Sequence, residues 1–371
     1  MDESPSTGDS RFFDDALIPW ETDVIDRRSL MRRGGVAAGA LALGAGLPGQ
    51  ASARAAGTDP APSEGPVPAF LPLPEHSKPL PVNADGYRLE RVGRNGYVVI
   101  SGFVQNIFVV TREGVVLMDA PPTTSPAVEK AIASVTNKPV THLIYSHDHF
   151  DHIGGATNFP GAIRIAHRDT ASLLAVHNDP ARPLPHKVIH ENHKVLHVGG
   201  EEIHLIYPGP NHEAGNILVH FPAQRLAQMT DIVMPGWAPY RAWGNADYMP
   251  GILTAHDAIL DLDFDTYVGG HVYRTAQRAE VRQSREFFLD LWSTTKKKAG
   301  DISFAEVTAA LAEPANLWAA QKVWIDKVAQ SVTSELIDRW GTKIAAVDTF
   351  TADTVGAAIV SINTDVPVNF L

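Results

Sequence analysis

Ser146-His147-Asp148-His149-Phe150-Asp151-His152 packs three imidazoles and two carboxylates into seven residues. It follows Thr141-His142-Leu143-Ile144-Tyr145, an apolar and β-branched stretch that reads as a short buried strand, so the cluster begins where a strand ends and the chain turns. A strand end is where an α/β sheet presents its chemistry. His147 and His149 are two apart and can point the same way from an extended segment, while Asp151 and His152 follow the turn and can face a second point nearby. The spacing therefore suggests two neighbouring metal positions. Imidazole and carboxylate ligands suit Zn, Fe, Mn or Ni, and a chain with no cysteine cannot build a thiolate-rich structural zinc site.

Outward from the cluster, strands and helices alternate. On its N-terminal side, residues 87–92, 96–101, 105–111 and 115–119 read as short strands, the last pair joined as a hairpin through Arg112-Glu113-Gly114. Residues 127–135 read as a helix that leads into the 141–145 strand. On the C-terminal side, 162–166 and 169–176 repeat strand then helix, and 187–196, 202–207, 216–221 and 225–230 form a second set of strands. Two β-rich halves with helices outside them imply an α/β fold, a layered sandwich of sheets covered by helices. Beyond His271 the pattern turns helical, over 275–297 and 304–311. Leu317, Trp324, Val328, Val332, Leu336 and Trp340 then form an apolar stripe that reads as core packing on a third helix.

At 371 residues the chain can hold one large α/β domain with an appendage. A formal net charge of -11 with 20% charged residues gives no positive face for phosphates, so no nucleic-acid partner is expected. The basic triplet Lys296-Lys297-Lys298 reads as a solvated helix end. No apolar stretch reaches the roughly 20 residues that span a bilayer, so no stable membrane insertion is expected. Asp26-Arg27-Arg28-Ser29-Leu30-Met31-Arg32-Arg33, the Gly/Ala/Leu-rich run 34–47 and the small-x-small pattern Ala51-Ser52-Ala53 resemble a twin-arginine export signal. That resemblance implies removal of residues 1–53 and work in the periplasm or outside the cell. Residues 54–85, with Pro60, Pro62, Pro66, Pro68, Pro72, Pro74, Pro79 and Pro81, read as an extended lead-in.

The motif His147-x-His149-x-Asp151-His152, with Gly154-Gly155 after it, resembles the signature of the metallo-β-lactamase-fold hydrolase superfamily. The resemblance covers roughly residues 87–275 and is specific for fold rather than for substrate. It implies a four-layer αββα sandwich over 86–275, with residues 276–371 as a C-terminal helical extension. Pro208-Gly209-Pro210-Asn211-His212-Glu213-Ala214-Gly215-Asn216 resembles the segment that supplies the family's third histidine, which makes His212 the partner of His147 and His149. Met229-Thr230-Asp231 resembles the bridging aspartate motif. Gly269-Gly270-His271 resembles the last ligand position and joins Asp151 and His152 in the second site. Asp119 resembles the family's early aspartate, which supports the ligand loop from behind. The other histidines, among them His142, His167, His190, His193, His197, His204 and His220, match no motif and read as solvated or hydrogen-bonded.

Asp231 resembles the bridging residue of glyoxalase II, acyl-homoserine-lactone lactonases and phosphotriesterase-like members more than the true β-lactamases, which lack it. His149 stands where flavodiiron proteins carry glutamate. The C-terminal helices are similar to those that complete the pocket in glyoxalase II, although no basic glutathione-binding motif is present. The resemblance implies two divalent ions, Zn2+ foremost with Fe or Mn as alternatives, about 3.5 Å apart and sharing a water acidified toward neutral pKa. It implies hydrolysis of an ester, lactone or amide-type bond of a small, apolar or acyl-bearing substrate, with Asp151 transferring the proton to the leaving group. An iron-dependent oxidoreductase of the persulfide dioxygenase type and β-lactam hydrolysis are the alternatives. Trp237, Tyr240, Trp243 and Tyr248, in the loop after Asp231, are the expected apolar walls of the substrate site.

Overall fold

Short apolar and β-branched runs build the first sheet of this protein. The computed structural model describes residues 69–366 and Phe370, all within the unit Pro66–Leu371. Residues 1–53, where an export signal is expected, and the lead-in up to residue 68 lie outside the described residues. Seven strands stand in sequence order: β1 (Tyr87–Val92), β2 (Gly96–Ser101), β3 (Val104–Val110), β4 (Val115–Met118), β5 (Val140–Ile144), β6 (Ile163–His167) and β7 (Lys187–Ile189). The first four are antiparallel, joined by tight turns, and β4 to β7 are parallel. Parallel pairing needs crossovers, which α1 (Ser125–Val135) supplies between β4 and β5, and α3 (Arg168–His177) between β6 and β7. The second sheet has the order β12-β11-β10-β9-β8, from β8 (His193–Val198), β9 (Glu201–Ile206), β10 (Leu218–Phe221), β11 (Leu226–Met229) and β12 (Thr266–Val268).

Side-chain parity explains the layers. Val98, Ile100, Ile107, Val109, Val116 and Met118 face the second sheet and meet Ile203, Leu205, Val219 and Phe221. Their neighbours Val99, Phe108, Leu117 and Leu143 face the other way, onto Val128, Ala131 and Ile132 of α1. Because both faces of β4 are covered, it reads as an unbroken apolar run, Val115-Val116-Leu117-Met118, rather than an alternating one. On the far side, Leu218, Ala227 and Met229 of the second sheet pack into a core shared with α5 (Met249–Leu260), α6 (Arg278–Asp301), α8 (Leu317–Trp340) and α9 (Val347–Thr364). The result is the expected four-layer αββα sandwich with its C-terminal helices, α7 (Phe304–Ala309) being the shortest of them.

The expectations differ from the structure in four places. Residues 187–196 are not one strand: β7 pairs with β6 in the first sheet and β8 with β9 in the second, so the chain changes sheets at 190–192. That polar, exposed stretch interrupts an otherwise continuous strand-like pattern. Helix α6 begins at Arg278 rather than near 275, because Tyr267 and Ala276 exchange backbone hydrogen bonds of 2.8 and 2.9 Å and keep the chain extended to that point. A Gln277–Glu280 capping box then starts the helix. On α8 the apolar stripe is buried at Val328, Val332, Leu336 and Trp340, whereas Leu317 is 63% exposed and Trp324 half-buried. Helices α5 and α9 are absent from the sequence expectation. The buried face of α9, with Thr351, Thr354, Val355, Ala358 and Ile359, is built mostly from small side chains that leave little apolar periodicity. Among the described residues no helix is long and apolar enough to cross a membrane.

His256 joins α5 to α6 and is fully buried, its Nδ1 2.7 Å from the Ile252 carbonyl and its Nε2 2.9 Å from Ser284 Oγ. Burial foremost, and the Arg285 charge with it, push this imidazole down to about 4 against the opposing pull of the Ile252 carbonyl. The unfolded chain, with an ordinary imidazole near 6.5, binds one more proton than the native chain between those values, so stability is complete above that range and is lost as pH falls through it. Denaturant titrations at pH 7 and pH 5 should show the wild type losing about 2 kcal/mol more than His256→Gln. An equal loss in the two proteins would contradict a neutral buried imidazole.

Candidate metal centre

The ends of β5, β11 and β12 and the loop between β9 and β10 meet at one edge of the sandwich. His147 and His149 follow β5, and Asp151 and His152 sit on α2 (Phe150–Ile153), a single turn that has His149 as its N-cap. His212 lies in the β9–β10 loop, Asp231 just beyond β11, and His271 three residues past β12. The structure brings all seven together, in two groups: His147, His149, His212 and Asp231, and Asp151, His152 and His271, with candidate ligand atoms inside each group within 4.8 Å of one another.

Asp231 stands between the groups. Its Oδ2 is 3.1 Å from His152 Nε2 and from His212 Nε2 and 3.6 Å from His147 Nε2, while its Oδ1 is 3.2 Å from His271 Nε2. His149 Nδ1 lies 3.2 Å from His212 Nε2, and His152 Nε2 lies 3.1 Å from His271 Nε2. Asp151 is the open edge of the cluster, with its side chain 63% exposed and its Oδ2 3.5 and 3.6 Å from His152 and His271.

These residues fit divalent metal. His147 Nε2 and Asp231 Oδ1 are buried with no hydrogen-bond partner, an arrangement that protein interiors avoid unless such atoms are coordinated or solvated. His147 Nδ1 lies 2.9 Å from Ser146 Oγ, so a proton held there leaves the Nε2 lone pair facing the centre. Burial, with repulsion from His149, His152 and His212, holds His147 well below the ordinary imidazole value. Burial also lowers His149 and His271. Burial would raise the Asp231 carboxyl, but His152, His271 and His212 overcome it and keep the group well below its usual range. For His152, burial is opposed by the charges of Asp231, Asp151 and Asp119 and by its hydrogen bond to Asp231, which together raise it to about 9. Neutral imidazoles around an ionised carboxylate are the state that metal needs, and His152 is the one that must give up a proton to join it.

Buried polar groups behind the ligands fix their positions. Asp119 Oδ1 accepts a 2.7 Å hydrogen bond from the Ser146 backbone, and its Oδ2 accepts from Thr230 Oγ1 at 3.2 Å, which ties the end of β5 to the end of β11. Burial raises the Asp119 carboxyl to about 6 in spite of His152 and the Ser146 hydrogen bond. Asn216 donates to the Thr230 carbonyl at 2.9 Å and to Asn211 Oδ1 at 3.0 Å, and that oxygen also accepts from the His212 backbone at 2.8 Å. These asparagines were visible in the sequence beside His212 but carried no assigned role. Asp119 and Asp231 both have left-handed backbone, φ 58° and 66°, a strained state that the surrounding hydrogen bonds hold. Gly251 of α5 approaches the His212 loop so closely that a Cβ there would lie 1.8 Å from the Pro210 carbonyl oxygen.

A cavity of about 530 Å3 opens above the cluster. Two of the four aromatic residues expected in its wall line it, Trp237 and Tyr240. Trp243 instead lies in the core, its indole N–H donating to the Ile232 carbonyl at 3.0 Å and its ring edge-on to Phe288 at 5.0 Å, because left-handed backbone in the short turn α4 (Arg241–Asn245) directs it inward. Tyr248 is also outside the cavity, and its backbone N–H holds the Asn211 carbonyl. The remaining apolar wall comes from segments that the sequence did not connect with the site: Phe70, Leu71 and Leu73 of the lead-in, Phe103 at the β2–β3 turn, and Phe350 of α9. Phe103 carried a signal, a large apolar side chain at a hairpin tip beside Gly102, and its ring lies 5.7 Å from that of His271.

The family model for the metallo-beta-lactamase superfamily matches residues 100–287, and the chain belongs to that superfamily. The 2,4-dinitroanisole O-demethylase subunit alpha of Nocardioides sp. (strain JS1661) is 30% identical over 220 residues, 57% of this chain and 64% of the relative. The metallo-beta-lactamase type 2 of Elizabethkingia meningoseptica is 31% identical over 129 residues, 32% of this chain and 48% of the relative. The matches thus span less than two thirds of either relative's length. Among solved structures, a metallo-beta-lactamase from Pontibacter korlensis aligns with a TM-score of 0.48 at 19% identity, over 55% of this chain and 99% of that one.

Asp119→Ala should strip the buried Ser146 N–H of its acceptor and loosen the strand end that carries His147. Metal affinity, measured by chelator competition, should fall by about 10- to 100-fold, with Asp119→Asn recovering part of the loss. Unchanged affinity in Asp119→Ala would remove Asp119 from the support of the site.

Proposed function

We propose that this protein is an exported, metal-dependent hydrolase that cleaves an ester, lactone or amide-type bond in a small, apolar or acyl-bearing substrate, in the glyoxalase II and lactonase-like part of the superfamily. One observation carries the reading: Asp231 stands between two His/Asp groups at the floor of an apolar cavity, and none of the described residues that line it is serine or cysteine. A hydrolase built this way needs no side-chain nucleophile. The two relatives are named as a demethylase subunit and a lactamase, so relatedness leaves the reaction open and the site must decide it. Export rests on the twin-arginine-like segment around Arg27-Arg28.

His147, His149, His212 and Asp231 would hold one ion and Asp151, His152 and His271 the other, with Asp231 positioned to reach both. Divalent ions bound there, zinc foremost, would supply Lewis acidity toward a carbonyl oxygen and would acidify water. The chain's own part is to present neutral imidazole nitrogens and an ionised carboxylate in a fixed frame. Asp119, Asn211 and Asn216 keep that frame from relaxing. Apolar walls then exclude bulk water and strengthen every charge interaction at the floor. Asp151 is the exposed carboxylate at the edge of the cavity, placed to carry a proton to the departing oxygen or nitrogen.

Purified protein, metal-loaded and analysed for metal content, should turn over members of an ester, lactone and amide panel and lose that activity on chelation. No turnover across the panel would overturn the reading, and one iron per chain with oxygen consumption would replace it with an oxidoreductase of the same fold. Asp151→Asn should lower kcat by about 100-fold for esters with poor alkoxide leaving groups, and far less for activated phenol esters, which need no proton. Equal losses for the two classes would assign Asp151 to metal binding alone.

A further inference from the structure

Five of the seventeen large apolar side chains that are exposed among the described residues surround one opening, and the others are scattered over the surface. Phe70, Leu71, Leu73, Phe103 and Tyr240 are all exposed, and all five line the cavity above the metal-ligand cluster. A concentration of exposed apolar surface beside reactive groups marks a binding wall. Three of the five belong to the lead-in segment, whose described residues, 69–85, form no helix or strand apart from a 3-10 turn at Glu75–Ser77.

The segment is tied down by four hydrogen bonds. Leu71 N donates to Asp348 Oδ2 at 2.6 Å, in the first turn of α9. Ser77 Oγ donates to the Gly236 carbonyl at 2.7 Å, the Trp237 indole N–H donates to the Ser77 carbonyl at 3.2 Å, and His76 Nε2 lies 2.9 Å from the Lys343 carbonyl. Three of the four anchoring hydrogen bonds fall on segments that also supply wall, the 236–237 loop and α9. Trp237 follows Gly236, and Phe350, two residues after Asp348, stacks edge-on against Tyr240 with ring centroids 4.7 Å apart.

The charge of the lining is one-sided. Among the described residues that line it, the carboxylates are Asp151, Asp231 and Asp348, and none is Lys or Arg. Asp151 and Asp231 belong to the floor. Away from the floor, an anionic group on a bound molecule would give up its water next to aromatic rings and Asp348, with no counter-charge to replace the hydration. An uncharged ring loses nothing there and gains area and edge-to-face contacts.

We propose that residues 70–73 are a specificity wall held in place by Asp348, and that the subsite they form with Trp237 and Phe350 accepts an uncharged aromatic or apolar group and rejects one carrying a remote negative charge. The reacting bond would lie over the floor with the uncharged group along the wall. The proposal rests on the hydrolase reading of that floor for its kinetic arm and stands apart from it for its binding arm.

The test uses the full metal-loaded protein with phenyl acetate and 4-carboxyphenyl acetate, which differ by one charge remote from the reacting ester, and with calorimetry of acetophenone binding. The neutral ester should be favoured by about 100-fold in kcat/KM, and acetophenone should bind. Asp348→Ala should raise KM for phenyl acetate and weaken acetophenone by about tenfold while kcat stays within about threefold, because the wall loosens without touching the floor. Leu73→Arg should narrow the gap between the esters to within about tenfold by giving the carboxylate a partner. Equal kcat/KM for the two esters, or acetophenone affinity unchanged in both variants, would overturn the wall. Turnover of neither ester, with acetophenone still bound and still weakened by Asp348→Ala, would overturn the hydrolase and leave the wall supported.

Discussion

A single buried carboxylate sets the terms for this structure. Asp231 has imidazole nitrogens of His147, His152, His212 and His271 within 3.1 to 3.6 Å and is itself almost fully buried. Removing an ionised group from water costs several kcal/mol unless partners replace the hydration, and here the partners come from three separate segments of chain, 147–152, the His212 loop and the stretch after β12. The arrangement exists only if those segments end at one point. Two backbone links show how closely the frame is matched to that need: Asp231 N donates to the Gly269 carbonyl at 3.0 Å, joining the ends of β11 and β12, and Ile217 N donates to the Ser146 carbonyl at 3.0 Å, joining the His212 loop to the end of β5.

The frame must be rigid enough to hold this cluster against its own repulsions. Imidazoles packed this closely cannot all be protonated, and left-handed backbone at Asp119 and Asp231 is an unfavourable local choice. Both tendencies are offset by cores on each face of both sheets. Val98, Ile107, Val116 and Phe221 between the sheets are fully or almost fully buried, so a strand end cannot shift without moving the packed layer behind it. Sandwich packing and the polar links through Asp119, Asn211 and Asn216 are therefore parts of one device.

How much of this was legible in the sequence depends on how local each signal is. The strands of the first sheet were readable because apolar and β-branched residues occupy consecutive positions such as 97–100, and the candidate ligand set because its members sit in short segments at or after strand ends. The resemblance to a known family supplied the order in which those segments belong together. The sheet change at 190–192 was hidden because exposed His190-Glu191-Asn192 links two strands that both continue a strand-like pattern. Helix α9 was hidden because Thr351, Thr354, Ala358 and Ser361 share its packed face with only three large apolar residues, Val347, Val355 and Ile359. The aromatic wall was half legible: Trp237 and Tyr240 line the cavity while Trp243 turns inward, an outcome decided by the left-handed backbone at Ala242, Trp243 and Gly244, which residue identity alone does not announce. The lead-in residues 70–73 were illegible as wall because their function depends on an acceptor 277 residues away, Asp348.

The floor lies within one stretch of the chain, whereas the wall, with Phe103, Trp237 and Tyr240 inside that stretch, also draws on segments outside it. Every floor ligand lies between His147 and His271, within the residues that match the family model. The wall draws on Phe70, Leu71 and Leu73 before that region and Phe350 after it, joined through Asp348, so the C-terminal helices reach the site through packing rather than through a reacting group. A carboxylate in the first turn of α9 suits this joint twice over: it is stabilised by the helix dipole, and it accepts from the backbone N–H of Leu71. A fold that keeps its metal ligands on strand ends and its walls on flanking segments can change what it binds without disturbing how it reacts, since substitutions in 70–73 or at Phe350 leave the hydrogen bonds of Asp119 and Asn216 untouched.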